Sequence, residues 1–226
     1  TFNEIQDVSC LTIDVPYETQ GCIGINNSNP STALDVNGNI KFNGKIYGTN
    51  TTANENGIMS VAIGDNNTAK GDYSITIGID NTINGYQSNN ALTRCSVAIG
   101  EGNTILATNQ GSDRSVVMGG YNTIQGHHSF AMGRWNNITA NYSVAMGDDN
   151  EVSSEYSVAM GYENIAKKFG CTVFGVGNEI NSYNHNGSFV CGKYNERDIT
   201  HLFAVGNGSG TSDTNRGSII YATDSQ

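Results

Sequence analysis

The stretch "NYSVAMGDDNEVSSEYSVAMGYEN", residues 141–164, writes Ser-Val-Ala-Met-Gly twice, fourteen residues apart. No other feature narrows the fold as far, because a short fixed period obliges each unit to pack on its neighbours. Pentads of this form start at Ser60, Ser74, Ser96, Ser115, Ser129, Ser143, Ser157, Cys171, Ser188 and Leu202. Successive starts differ by 14, 22, 19, 14, 14, 14, 14, 17 and 14, so one period of 14 carries insertions of 8, 5 and 3. Two further columns keep this register. Asn stands seven residues after every start but the last, from Asn67 through Asn150 to Asn195. Two residues beyond it runs an apolar column: Ala69, Ile83, Ile105, Ile124, Ile138, Val152, Ala166 and Ile180.

Fourteen is too short for a helix-turn-helix unit and is no multiple of a helical period, and β-branched residues and Gly dominate the unit. Two short strands and two turns per unit fit instead. Stacked in parallel at about 4.8 Å per coil, ten such coils form a β-solenoid roughly 45 Å long. The Gly closing each pentad marks a turn, and the Asn column reads as turn residues that tolerate positive φ. Within a strand, Val144 and Met146 share one face while Ser143 and Ala145 share the other. Both faces are apolar or small. We read the Met and Ile column as inward, and the column Ala62, Ala98, Ala131, Ala145 and Ala159 as a surface where another chain approaches closely. Pentads apolar on both faces cannot all be covered by one chain, so the expected state is a homotrimer.

Composition bounds the partners. The net charge of −10, with only 11 Lys and Arg, argues against nucleic acid, whose phosphates need clustered cations. No apolar run is long enough for membrane insertion and Thr1 opens no signal peptide, so a soluble chain is expected. The five cysteines, Cys10, Cys22, Cys95, Cys171 and Cys191, have no metal-ligand spacing and an odd count; they read as free buried thiols, with a Cys10–Cys22 bridge left open.

The repeated Ser-Val-Ala-[Ile/Met]-Gly pattern from Ser60 to Gly206 resembles the YadA-like head repeats of trimeric adhesins. That resemblance implies an all-β, left-handed parallel β-roll assembled as a homotrimer in an adhesive setting; it supplies no fixed ligand motif. The flanks are similar to those of viral fibres. "GCIGINNSNPSTALDVNGNIKFNGKIYG", residues 21–48, resembles the segment that precedes repeats in tail and fibre proteins, and "LFAVGNGSGTSDTNRGSII", residues 202–220, resembles fibre stretches that lead into a self-cleaving chaperone. The expected organisation is an N-terminal strand or connector over 1–20, a fibre-type LDVNG segment over 21–58, a roll of about ten coils over 59–206, and a C-terminal fibre segment over 207–226. The expected function is the structural and receptor-binding segment of a trimeric virus or phage fibre, on the virion surface, attaching to a host glycan or protein receptor. The alternatives are a polysaccharide depolymerase tailspike and the head of a bacterial surface adhesin.

Residues that carry chemistry are few. No nucleophile elbow, phosphate loop or zinc motif is present, and His127, His128, His185 and His201 fall at turns. We therefore expect no enzyme, no cofactor and no metal. Asp148, Asp149, Glu151, Glu155 and Glu163 crowd two coils, which reads as a solvated acidic edge before it reads as a carboxylate pair. Rings form two columns: Tyr73, His128, Tyr142 and Tyr156 just before pentads, and Tyr121, Trp135 and Tyr194 six residues after pentad starts. They either pack on neighbouring coils or bind a ligand. Insertions leave a solenoid as loops, and the two largest fall in consecutive coils, so we expect one ligand patch on them. It comprises Tyr86, Gln87, Asn89, Asn90, Arg94, Asn109, Gln110, Asp113 and Arg114, with Trp135 beside the list as a further ligand-binding candidate.

Overall fold

A computed structural model of the chain describes residues 23–25, 34–36, 52–53, 60–84, 95–106, 114–181, 186–195, 201–210, 212 and 216–223. The chain divides into Thr1–Phe42 and Asn43–Gln226. In the first unit Ile23–Ile25 pairs in parallel with Leu34–Val36.

The second unit is an all-β parallel solenoid of about nine turns. Each regular coil contributes a five-residue strand, such as Val144–Asp148, and a two- or three-residue strand, such as Glu151–Val152. The long strands stack into an eleven-stranded sheet and the short ones into a nine-stranded sheet. Register follows the sequence repeat without slippage: Met132 pairs with Met146 and Met146 with Met160, Gly beside Gly. Thr52–Ala53 pairs with Thr68–Ala69, so the small sheet begins one coil before the first pentad. At the far end the last parallel strand, His201–Asn207, pairs antiparallel with Ser218–Thr223, which occupies its outer edge. The nearly buried guanidinium of Arg216 donates to the Gly177 and Asn195 carbonyls at 3.0 and 3.2 Å and pairs with Glu179 at 3.5 Å. His201 opens a strand here and is not a turn residue.

The core lies between the two sheets. Its large-sheet side is the Ala column, including Ala98, Ala131, Ala145 and Ala159; its small-sheet side is the column of Ile83, Ile105, Ile124, Ile138, Val152 and Ile180, all fully buried. A coil this thin cannot hold two large side chains abreast, so a small one faces a branched one. This reverses the face assignment made from the pentads. Ser143 and Ala145 point inward, while Val144 is half-buried and Met132 is 39% exposed on the outer face.

The polar columns are buried as well, and hydrogen-bonded from coil to coil. Asn150 Nδ2 donates to Asn136 Oδ1 at 2.8 Å, to the Met146 carbonyl at 3.2 Å and to the Gly161 carbonyl at 3.0 Å. The Asn164 N–H donates in turn to Asn150 Oδ1 at 3.1 Å. Asn is thus a bridging residue. The positive φ expected of it falls one position earlier, at 56° for Asp149. The serine column forms a second ladder, with the Ser143 N–H donating to Ser129 Oγ at 3.2 Å. Gly147 sits at φ 118°, and a Cβ there would lie 2.0 Å from the Gly161 carbonyl oxygen.

Candidate functional site

Three surfaces of the solenoid carry side chains that the chain itself does not need for its core. The first is the outer face of the eleven-stranded sheet. Alternation in the strand turns positions such as Val116, Phe130, Val144 and Val158 outward together with Ile63, Ile77, Ile99, Met118, Met132, Met146 and Met160. The row continues as Phe174, Cys191 and Val205, and the neighbouring outward rings Phe189 and Phe203 stack at 5.6 Å. Across ten parallel strands this is an apolar strip on the order of 45 by 10 Å. The outer face of the small sheet is polar by contrast, carrying Thr68, Thr82, Thr104, Thr123, Asn137 and Glu151 in register.

The second surface is the edge just before the large strands. Tyr73, His128, Tyr142 and Tyr156 all adopt left-handed backbone, with φ between 52° and 57°. His128 stacks on Tyr142 and Tyr142 on Tyr156 at 5.0 Å each, within 12° and 5° of parallel, and Phe169 meets Tyr156 edge-on at 5.3 Å. Arg114 Nη1 donates to His128 Nε2 at 3.0 Å. Between neighbours in this ladder the faces are turned to one another, so mainly edges and hydroxyls meet solvent.

The third surface is the opposite edge, after the large strands. Tyr121 leans back one coil: its hydroxyl donates to Glu101 and its ring covers Gly102, where a Cβ would lie 2.6 Å from Tyr121 Cδ1. The carboxylate beside it pushes the Tyr121 phenol above the usual tyrosine range, chiefly through that hydrogen bond. Arg134 leans forward, with Nη2 3.0 Å from Asp148 Oδ2 and its guanidinium carbon 4.1 Å from the Trp135 ring centre. Trp135 itself is 51% exposed.

Of the residues expected to form a loop patch, Tyr86, Gln87, Asn89, Asn90, Arg94, Asn109, Gln110 and Asp113 lie outside the described residues. Arg114 and Trp135 are described, and they fall on opposite edges of the large sheet, before Val116–Gly120 and after Phe130–Arg134. Arg114 is thus the one member of that patch among the described residues, and Trp135, the separate candidate, stands apart from it. The acidic residues are spread over separate contacts: Glu151 pairs with Lys167 of the next coil at 3.3 Å, Glu155 accepts from Asn141 Nδ2 of the preceding coil at 2.8 Å, and Glu163 bonds to its neighbour Tyr162, whose phenol it raises. Among the described residues no group of three or more His, Cys, Asp or Glu is placed to hold a metal, and no helix is long and apolar enough to cross a membrane. Cys171 is buried in the serine column, Cys191 half-buried on the outer face, and Cys95 exposed, which corrects the expectation of uniformly buried thiols. Cys10 and Cys22 lie outside the described residues.

Residues 56–79 and 139–164 match the family model of the YadA head domain repeat, in two copies. With the fourteen-residue parallel coils, this identifies the repeats as YadA-like head repeats. No curated protein matches the chain.

Proposed function

We infer that three copies of this chain bundle through the outer faces of their eleven-stranded sheets, and that the resulting rod is the receptor-binding segment of a fibre-type adhesin. The apolar strip on that face carries the reading. An exposed patch of several hundred Å² on a lone soluble chain marks an interaction surface. A row of like residues repeated along an axis is satisfied best by identical rows in parallel, which a closed cyclic assembly provides. The YadA-like repeats support a trimer and an adhesive role, and the fibre-like flanks at 21–48 and 202–220 favour a virion fibre over a bacterial surface head.

Sedimentation equilibrium tests the assembly. A mass of about 72 kDa, three times 24.0 kDa, is expected at micromolar concentration. A folded species of 24 kDa overturns the trimer. Attachment is tested by binding of labelled oligomer to panels of bacterial and animal cells, and the fibre setting by antibody labelling of virions in electron micrographs. Steady release of reducing ends from a bound polysaccharide turns the reading to a depolymerase.

A further inference from the structure

The turn after the large strand is left-handed in every regular coil, and six coils meet it with Asn66, Asp80, Gly102, Asp149, Glu163 or Gly177. These are short, polar or lacking a side chain. The backbone therefore does not ask for a ring, and a bulky side chain is disfavoured in this region. Tyr121 at φ 56°, Trp135 at φ 55° and Tyr194 at φ 44° nevertheless place large rings there; Tyr194 is half-buried over Gly177, whereas Tyr121 and Trp135, in consecutive coils, are 50% and 51% exposed. In the ladder on the other edge the rings cover one another; here, among the described residues, no aromatic ring stacks on Trp135, only the Arg134 guanidinium.

The column beside these rings runs Glu101, Gly120, Arg134. Gly120 leaves a gap in it: a Cβ there would meet nothing closer than 3.9 Å, from Arg134 Cγ on one side and the Glu101 carbonyl on the other. The result is a shallow saddle about 10 Å long, two coil spacings from Glu101 to Arg134. Tyr121 and Trp135 stand in the next column, with the Glu101 carboxylate, which accepts from the Tyr121 hydroxyl, at one end and the Arg134 guanidinium, which reaches on to Asp148, at the other. The guanidinium is held in place by Asp148 and keeps donors to spare, since it has five and that ion pair engages few of them.

We propose that this saddle binds a neutral hexose-containing glycan of the target surface. The apolar C–H face of a pyranose lies against a ring, and its equatorial hydroxyls donate to Glu101 and accept from Arg134, the combination of an apolar wall and a few convergent polar groups that fixes a small ligand. The net charge of −10, and the nearby Asp148 and Asp149, disfavour a polyanionic glycan. The proposal rests on the adhesin reading above and gives it a ligand class and a place.

Trp135 is the sole tryptophan of the chain, so intrinsic fluorescence of the intact oligomer reports this site alone. The probes are neutral gluco-, galacto-, manno- and N-acetylhexosamine oligosaccharides, with heparin and hyaluronan as anionic comparisons. A saturable emission change with at least one neutral probe and with neither polyanion is expected. Gly120 is outside the positive-φ region and lies in a strand, so Gly120→Val fills the saddle while leaving its rings and charges in place. It should weaken that binding by about tenfold or more at unchanged melting temperature and oligomer mass. The proposal is overturned by silence to every neutral probe, by equal binding in Gly120→Val, or by shielding of Trp135 from acrylamide in the free oligomer, which would mean that another copy covers this edge. If the wild-type and Gly120→Val oligomers attach to cells equally, the saddle fails and the adhesin reading stands. If the wild type attaches to no cell or glycan, the adhesin reading fails as well.

Discussion

The two faces of the eleven-stranded sheet are built from alternate residues of the same strands, yet they obey different rules. Ser143 and Ala145 point into the coil, fully buried by their own chain; Val144 and Met146 point away from it and keep part of their surface. The inner face is limited by space, because the facing Ile and Val column already fills a thin coil. The outer face has no such limit and carries larger side chains than the inner one. Size thus sorts opposite to the simple expectation that the largest apolar residues go inside. They go to the face that the chain's own coil leaves uncovered.

Substitutions on the two faces break or sharpen that contrast. The largest effect is expected from Ala145→Asp, which buries an unpaired carboxylate in the coil and should cost upwards of about 4 kcal/mol, read as loss of the cooperative melting transition. Gly147→Ala combines a Cβ clash with a backbone region that L residues rarely adopt, and about 3 kcal/mol of destabilisation should appear in denaturant melts. Asn150→Ala strands the Asn164 N–H and two carbonyls in the ladder and should cost about 2 kcal/mol by the same measurement. Met146→Asp, one residue from Ala145, should change the stability of the separate chain by less than about 1 kcal/mol. Its effect is on assembly, with the sedimenting mass falling to a third while the strand signal in circular dichroism persists. If Met146→Asp unfolds the chain as Ala145→Asp does, the two faces are not different in kind.

The cysteines offer the mildest probe of the same contrast. Burial pushes the Cys171 thiol above its usual range, so it holds less reactive thiolate at any pH below that raised value, and its position in the serine column also shuts out reagent. Brief alkylation followed by peptide mapping should label the exposed Cys95 first and leave Cys171 unmodified. Cys191 belongs to the outer face. It should be labelled in dissociated Met146→Asp and protected in the wild-type oligomer.

Much of this was legible in the repeat. The period of 14 dictated two strands and two turns per coil, and the columns of Gly, Asn and Ile mapped one to one onto stacked positions, because parallel in-register pairing places residue i beside residue i+14. Other features were not. Alternation says that Ala145 and Met146 lie on opposite faces but not which face the coil closes over, since both are apolar and closure depends on where the second strand returns. The Asn column was assigned to positive φ on intrinsic tolerance, whereas the side-chain amide is worth more as a bridge between coils, and the left-handed turn passed to its neighbour. The saddle at Gly120 was legible only in fragments: Trp135 drew notice as a ring near a turn, but the groups around it come from four coils.

The amino-acid sequence by itself determined that this chain stacks short parallel strands with a fourteen-residue rise, because no other arrangement lets ten near-identical units bury their apolar columns and pair every strand. Only the tertiary structure decided what each column does. Which face is core, which rings spend their faces on one another and which leave a ring open beside a gap are set by side-chain reach between coils about 4.8 Å apart, and that reach is a property of the stack rather than of any one repeat.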